Sequence, residues 1–334
     1  MAVVTELKKK LQQQNEMIQK IRAEIGKVII GQEQVVEQVL IAMLAGGHAL
    51  LEGVPGLGKT LMVRTIAQSL ELQFSRIQFT PDLMPADIIG TDIISPDEEG
   101  RQSFQFQPGP VFGNVILADE INRATPKTQS ALLEAMQEHT VTVAGKTRKL
   151  PEPFFVLATQ NPLEMEGTYH LPEAQLDRFL LKIIVPFPTE EELKQIVTQT
   201  TGGTEASVVP VAKGDELIAL QETVRQILVP EEVVDDAVRL LLLSHPDHPE
   251  APELVKQYVR TGAGPRGVQA LIQTAKARAF MAGRFNVAQE DLDFVALPVL
   301  RHRILRNFEG EAVGIAADQI VEALLADLRK GFEA

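Results

Sequence analysis

The sequence predicts an α/β domain built on a parallel sheet, followed by a smaller all-helical domain. Short apolar runs alternate with segments that can hold helices, which is typical of buried parallel strands covered on both faces. These runs lie at residues 48–51, 77–79, 115–118, 154–159 and 180–185. After Pro186-Phe187-Pro188 the alternation ends, and no convincing strand follows. We therefore predict domains at residues 1–188 and 189–334.

Helical periodicity accounts for the remaining segments. Residues 5–25 place Leu7, Leu11, Ile18, Ile21 and Ile25 among polar residues, which predicts an amphipathic helix docked on the domain that follows. The run Thr189-Glu190-Glu191-Glu192 is typical of a capped helix start. Further helices are predicted over residues 215–227, 231–244, 266–282, 289–297 and 315–328.

Two hairpin-like insertions interrupt the predicted sheet domain. Residues 88–108 hold an acidic turn at 96–100 and then the alternating run Phe104-Gln105-Phe106. Residues 139–150 run outward, turn at 144–146, and return. Periodicity alone leaves decorative loops and functional insertions equally open.

Composition narrows the class of protein. The 334 residues carry a formal net charge of −13, which argues against wrapping DNA or RNA unaided, since phosphate binding needs clustered Lys and Arg. The absence of cysteine excludes disulfides, thiolate metal sites and thiol nucleophiles. The N-terminal residues lack the apolar core of an export signal, and the most apolar windows, 39–51 and 179–185, are too short to span a bilayer. We expect a soluble, cytoplasmic protein.

Residues 53–60 have the spacing of a phosphate-binding loop, with a Gly followed after four residues by Gly-Lys-Thr. An apolar run precedes this loop and a helical periodicity follows it, which disfavours a simple Gly-rich turn. Lys59 would reach the β and γ phosphates of a bound polyphosphate, and Thr60 would ligate Mg²⁺. The predicted contacts to this ligand are Gly53, Val54, Pro55, Gly56, Leu57, Gly58, Lys59, Thr60 and Leu61.

Polar side chains follow two other predicted strands. Asp119 and Glu120 come directly after the run 115–118, so they would lie at the carboxyl edge of the sheet, where ligands bind in such folds. Asp119 suits contact with Mg²⁺ and the nucleotide, and Glu120 is placed to orient or deprotonate an attacking water. Asn161 would hydrogen-bond the γ-phosphate or that water, although Asn before Pro is also ordinary turn chemistry.

Taken together, these segments resemble the MoxR family of AAA+ ATPases. The resemblance rests on the phosphate loop, on Leu-Ala-Asp-Glu-Ile-Asn-Arg at 117–123, on Ala-Thr-Gln-Asn-Pro at 158–162 and on Leu-Pro-Glu-Ala-Gln-Leu-Asp-Arg-Phe at 171–179. It covers roughly residues 25 to 310, and these stretches are more specific than a phosphate loop alone.

The resemblance implies roles for further residues. Asn161 matches the first sensor, Arg178 the arginine finger that reaches a neighbouring subunit's nucleotide, and Arg266 the second sensor. The segment 28–32, with Ile30 and Gly31, resembles the stretch that packs on adenine. The two hairpins resemble insertions that face a central pore or a partner. The family often has Ser and Ala where this chain has Gly264 and Gly267, which leaves Arg266 its charge but loosens its placement.

The resemblance also implies a working assembly. A finger supplied in trans implies a ring, taken as a hexamer, with ATP in the crevice between sheet domain and lid. The expected function is chaperone-like remodelling of a client protein, or help with cofactor insertion, together with a partner carrying a von Willebrand factor A domain. A DNA-dependent motor and a nucleotide switch without turnover remain alternatives.

No histidine set has metal-ligand spacing, and His302 is expected on the lid surface.

Overall fold

The computed structural model describes residues 2–96, 101–162, 167–202 and 207–330. Up to residue 188 the described helices are α1 Ala2–Gly26, α2 Glu33–Leu44, α3 Lys59–Ser69, α4 Pro85–Ile89, α5 Pro126–Glu138 and α6 Glu173–Leu176. The strands there are β1 Ala49–Glu52, β2 Phe74–Gln78, β3 Gly90–Pro96, β4 Gln102–Pro108, β5 Val115–Asp119, β6 Thr140–Val143, β7 Lys146–Lys149, β8 Phe155–Gln160 and β9 Leu181–Ile184.

Beyond residue 188 helices dominate. The elements are α7 Glu190–Thr201, α8 Gly214–Arg225, α9 Glu231–Leu243, α10 Glu253–Tyr258, β10 Val259–Thr261, α11 Pro265–Met281, α12 Gln289–Leu300, β11 Leu305–Arg306, α13 Phe308–Val313 and α14 Ala317–Lys330. The expectation of no strand in this part is wrong, because β10 and β11 form a short antiparallel pair. Strands this short carry no periodic signal in a sequence.

Five parallel strands form the sheet in the order β2-β5-β8-β1-β9, which confirms the predicted fold class. Their registers align the carboxyl ends, since Gln78 lies beside Asp119 and Glu52 lies beside both Gln160 and Ile184. The second strand starts earlier than the sequence suggested, at Phe74. It lies at the edge of the sheet and only Ile77 in it is buried, so its apolar run is short.

The two faces of the sheet pack into different apolar clusters. Leu50 joins the cluster that includes α5, while Ala49 and Leu51 point to the opposite face. That second cluster is continuous from α1 through α2 and α3 to the buried residues of α8, α9, α11, α12 and α14. The lid therefore shares its core with one face of the sheet, and the division at residue 188 stays a prediction.

Both insertions are antiparallel hairpins. The first pairs Gly90 with Pro108 and Pro96 with Gln102, and its predicted acidic turn at 96–100 lies mostly outside the described residues. The second pairs Thr140 with Lys149 and turns at Ala144-Gly145, where both residues have positive φ. No helix within the described ranges is long and apolar enough to cross a membrane.

A buried histidine joins three elements beneath the sheet. His48 precedes β1, its Nε2 lies 3.0 Å from the Met136 carbonyl oxygen, and the Val156 N–H donates to its Nδ1 at 3.1 Å. Only the neutral ring with the proton on Nε2 satisfies both contacts. Burial accordingly lowers the pKa of His48 to about 4.

We predict that burial of His48 makes the folded protein less stable in mild acid. The pKa of His48 is lower in the folded state than in the unfolded chain, so the folded state binds fewer protons in mild acid. The contribution of neutral His48 to stability is therefore complete above about pH 6.5 and is lost as the pH falls towards 4. The free energy of unfolding, measured in urea from pH 7 to pH 4, should fall by about 3 kcal/mol through this residue. His48→Gln should reduce that fall, and exposed His139→Gln should not. A His48→Gln protein with the wild-type pH dependence would contradict the assignment.

Candidate active site

The phosphate loop connects β1 to α3 at the carboxyl edge of the sheet. Gly58 precedes the helix in the left-handed region, with φ of 74°, which disfavours residues with a β carbon. The N-terminus of α3 follows at once and presents the positive end of the helix dipole to the loop. Lys59 Nζ donates to the Gly53 carbonyl oxygen at 2.6 Å, so its side chain folds back across the loop.

Asp119 is held by hydrogen bonds on both oxygens. Its Oδ1 accepts from the Thr159 hydroxyl at 2.6 Å, and its Oδ2 accepts from Arg76 Nη2 at 2.6 Å and Nε at 3.1 Å. Thr159 Oγ1 also accepts from the Glu120 N–H at 2.8 Å. One buried hydroxyl therefore fixes the position of both acidic residues relative to β8.

Glu120 lies in a strained backbone conformation beside its partners. Its φ of 56° is uncommon for a residue with a side chain, and such strain is found at functional sites. Its Oε2 accepts from Gln78 Nε2 at 2.8 Å and from Arg123 Nη1 at 3.1 Å. The carboxylate is thus oriented by β2 on one side and by its own turn on the other.

The structure brings Lys59, Asp119, Glu120 and Asn161 to one edge of the sheet. Burial lowers the pKa of Lys59, and the nearby charges of Asp119, Glu120 and Glu52 oppose that shift. Asn161 follows β8 directly and is 7% exposed, so it is not a solvated turn residue. The arrangement places a cation, two carboxylates and an amide around one space beyond the strands.

Sequence reasoning missed Arg76, Gln78 and Thr159 at this edge. Arg76 and Gln78 lie two residues apart on β2, which places them on the same face, and Gln78 pairs with Asp119. Their alternation is visible in the sequence, but its meaning depends on knowing that β2 lies beside β5. Thr159 reads as an ordinary residue of an apolar strand.

A cavity of about 180 Å³ lies at the predicted adenine segment. Ile29, Ile30 and Gly31 line it together with Arg22 of α1 and Gln195 of α7, which the sequence had not indicated. Gln32 Nε2 donates to the Leu57 carbonyl oxygen at 3.1 Å and ties this segment to the loop. The lining therefore combines apolar side chains with the polar groups of Arg22, Glu33 and Gln195.

Gly31 is required by its surroundings. Its φ is +65°, and a β carbon there would lie 2.2 Å from Glu192 Oε1. Glu192 is itself fixed, because it accepts from the Thr189 N–H at 2.6 Å in the capping box predicted from the sequence. The start of α7 therefore packs directly against the predicted adenine segment.

Arg178 and Arg266 lie at the opposite edge of the sheet. The Leu180 N–H donates to the His48 carbonyl oxygen just before β1, whereas the phosphate loop follows the far end of that strand. Four residues at about 3.3 Å each separate the two edges by roughly 13 Å. Arg178 therefore does not share a site with Lys59 of its own chain.

The two arginines share a second cavity instead. Arg178 Nη1 donates to the Leu133 carbonyl oxygen at 2.9 Å, and Arg266 Nη1 lies 3.6 Å from Asp177 Oδ2. Both line a cavity of about 220 Å³. We expected ATP in a crevice between the sheet domain and the lid. Only α7 of the lid lines the cavity at the predicted adenine segment, whereas Arg266 begins α11 at the other edge of the sheet. Strand periodicity does not tell which edge a lid helix reaches.

His302 is not the lid surface residue that was expected. It is 5% exposed, and its Nε2 lies 3.0 Å from the Phe179 carbonyl oxygen. The flanking Arg303 is also buried and pairs with Asp177 at 2.8 Å. Charged neighbours in the sequence suggested a surface, but these charges are paired within the fold.

Comparison with known proteins agrees with this geometry. Residues 48–181 match the ATPase family associated with various cellular activities (AAA), and residues 251–324 match the AAA lid domain. A phosphate loop, a carboxylate pair at the end of β5 and a helical lid define an ATPase of the AAA+ class.

Individual relatives indicate which family within the AAA+ class this chain resembles. Chaperone MoxR1 of Mycobacterium tuberculosis is 44% identical over 302 residues, which span 90% of this chain and 79% of that protein. Protein MoxR of Methylorubrum extorquens is 31% identical over 297 residues, covering 84% of this chain and 85% of its own. The crystal structure of a putative ATPase from Cytophaga hutchinsonii superposes with a TM-score of 0.91 at 40% identity and 98% coverage of both chains. The chain belongs to the MoxR family of AAA+ ATPases, as its motifs predicted.

Proposed function

We propose that this ATPase hydrolyses Mg²⁺-ATP at the carboxyl edge of its sheet and uses the energy, as a ring, to remodel a client protein. The observation that carries the proposal is the division of the predicted site residues between two edges. Lys59, Asp119, Glu120 and Asn161 meet at one edge, and Arg178 lies at the other. A complete site then needs two copies of the chain.

At the phosphate edge each residue has a distinct role. Lys59 would leave the Gly53 carbonyl and bind the β and γ phosphates. Glu120, oriented by Gln78 and Arg123, would accept the proton of the attacking water, and Asn161 would orient that water or the γ-phosphate. The cavity beside Ile30 and Gly31 would hold the base.

The residues present fit magnesium bound together with ATP. Mg²⁺ takes one or two carboxylates and completes its shell with phosphate oxygens and water. Asp119 offers one carboxylate, Thr60 follows Lys59 in the first turn of α3, and the described residues contain no cluster of three His, Cys, Asp or Glu ligands that would form a separate cage. When bound, the ion would neutralise negative charge on the phosphates.

Substitution of Glu120 should separate binding from hydrolysis. Glu120→Gln keeps the shape and the contact with Arg123 but cannot accept the proton, so turnover should fall by about 10²- to 10⁴-fold while ATP still binds. Lys59→Ala should instead weaken binding, because the cation opposite the phosphates is removed. Fluorescent-nucleotide titration and phosphate release measure the two effects. Equal turnover by wild type and Glu120→Gln would refute the role of Glu120, and binding without turnover in the wild type would favour a nucleotide switch.

The location of Arg178 supports a ring. Its own phosphate loop lies at the far end of β1, so its guanidinium serves a phosphate only if a second copy presents its carboxyl edge. Arg266 lies beside it and would face the same neighbouring nucleotide. A closed ring, which we take to be a hexamer, gives every phosphate edge such a neighbour.

Mixing two inactive variants tests action in trans. The Lys59→Ala protein keeps the arginine finger Arg178 but loses a working nucleotide pocket. The Arg178→Ala protein keeps the nucleotide pocket but loses the finger, whose removal should lower the rate by about 10³- to 10⁵-fold. Each alone should be inactive, and mixed rings should regain hydrolysis once subunits exchange, as measured by phosphate release across mixing ratios. Mixtures that stay inactive at every ratio, although fluorescence transfer shows exchange, would rule out the trans finger.

The first hairpin offers an apolar surface for a client. Ile94 and Phe104 pair across β3 and β4 on one face and are 62% and 76% exposed. At the base of the same face, Arg148 of the second hairpin lies 3.8 Å from the centre of the Phe106 ring and 3.7 Å from Asp92. The two hairpins are therefore joined through Arg148. One relative is named a chaperone, and the exposed apolar side chains lie on a hairpin that contacts Arg148; both observations favour contact with unfolded segments. A partner with a von Willebrand factor A domain and a cytoplasmic location stay predictions.

Polar substitution of this pair should uncouple the client from the ATPase. Ile94→Ser with Phe104→Ser should leave basal hydrolysis within about twofold and abolish stimulation by a permanently unfolded model polypeptide, because apolar contact area is lost. The matched control is Gln105→Ser. Gln105 lies on the same strand as Phe104 with its side chain on the opposite face, so this variant should keep the stimulation. Undiminished stimulation of the double variant would show that the hairpin face is not the client surface.

A further inference from the structure

The lid grips the chain on both sides of the arginine finger. Three consecutive residues after α12, Arg301, His302 and Arg303, direct their side chains to residues 177–182. Arg178 lies inside that stretch. Its guanidinium donates to the Leu133 carbonyl oxygen at 2.9 Å, and its backbone lies between residues that the lid side chains contact.

Arg303 contributes most of these bonds. Its Nε donates to Asp177 Oδ1 at 2.8 Å, its Nη2 donates to the Phe179 carbonyl oxygen at 2.8 Å, and its Nη1 donates to the Leu180 carbonyl oxygen at 3.1 Å. The side chain is 3% exposed. A buried guanidinium with this many acceptors is rigid, because releasing it would leave a charge without partners in a dry environment.

His302 adds a second fixed point next to the finger. Burial, with the charge of Arg303, lowers the pKa of His302 well below its ordinary value, so the ring is neutral. Its Nε2 then carries the proton and donates to Phe179 at 3.0 Å. Arg301 donates to the Lys182 carbonyl oxygen at 3.1 Å, but it is anchored chiefly through two bonds of 2.9 Å to Asp318.

Asp177 connects Arg303 to Arg266, which lines the second cavity together with Arg178. Its Oδ1 accepts from Arg303, and its Oδ2 faces Arg266 at 3.6 Å. One carboxylate therefore lies between the buried arginine of the lid and the exposed one. Movement of Arg303 would shift both Asp177 and the residue that follows it, Arg178.

We propose that Arg303 and His302 are positioning residues that hold the arginine finger Arg178 in register for the neighbouring subunit's nucleotide, an inference that rests on the proposed action of Arg178 in trans. The lid then does more than cover a site. Through residues 302 and 303 it sets the position of the group that completes hydrolysis next door, so any shift of the lid is transmitted to the finger.

The expected effect is large, because charge stabilisation in phosphoryl transfer depends on position. Displacing a catalytic group by about 1 Å can reduce the rate by about 10²-fold. Arg303→Lys keeps the charge beside Asp177, but a single ammonium cannot also reach the two carbonyl oxygens. We expect the finger of this variant to lose at least about tenfold of its effect on the rate, as a shift of such a group implies.

The test adds Arg303→Lys to one or the other member of the mixed-ring experiment. In the finger donor, Lys59→Ala with Arg303→Lys, it should reduce the recovered hydrolysis at least about tenfold. In the pocket donor, Arg178→Ala with Arg303→Lys, it should leave the recovery nearly unchanged, because that subunit has no finger to position. A purely structural role would lower the recovery equally in both arrangements, and such a result would overturn the proposal.

Two controls protect the result. The first control places Arg284→Lys in the finger donor. This substitution weakens a different ion pair of the lid, between Arg284 and fully buried Asp291, which does not touch Arg178. The mixed rings should therefore still recover hydrolysis. If Arg303→Lys does not fold, as judged by thermal melting, His302→Leu carries the same test, since it keeps the volume and removes the donor to Phe179. Full recovery with either variant in the finger donor overturns the positioning role. Failure of the parental mixture to recover would instead refute the trans finger itself, and the positioning role with it.

Discussion

The parallel alignment of the central strands is the constraint on which the rest of the molecule depends. Because every strand of the sheet runs the same way, the polar residues that follow β1, β5 and β8 meet at one edge. Segments that lead into strands meet at the other edge, where Arg178 enters β9. The short β1 keeps the two groups apart, so Arg178 and the phosphate loop of one chain lie at different edges of the sheet.

Electrostatics at the phosphate edge follows from this alignment. Lys59 is partly buried near Asp119, Glu120 and Glu52, and the carboxylates compensate for the unfavourable burial of its charge. Thr159 and Arg76 occupy both oxygens of Asp119, while Gln78 and Arg123 occupy one oxygen of Glu120. The two carboxylates are therefore oriented by neighbouring side chains before any ligand binds.

The lid is bound to the sheet domain by polar contacts as well as by the shared apolar core. Asn15 and Gln19 of α1 donate to the last carbonyl oxygens of α11, whose first turn carries Arg266. Gln221 of α8 donates to the Met43 carbonyl oxygen at 2.7 Å, at the end of α2. Together with the hydrogen bonds of Arg303 to residues 177–180, these contacts make the positions of Arg178 and Arg266 depend on the position of the lid.

The sequence by itself determined the strand-loop-helix unit at residues 49–69, the polar ends of β5 and β8, the two hairpins and the change to helices after residue 188. Those features are local, because they depend on apolar period, glycine placement and motif spacing within a few residues. Only the tertiary structure decided that Arg76 and Gln78 hold the carboxylates, that Arg266 lies with Arg178 and away from Lys59, and that His302 and Arg303 are buried. Each of these depends on which strands are neighbours and which edge a distant helix reaches, and that is set by packing between segments that can lie more than a hundred residues apart.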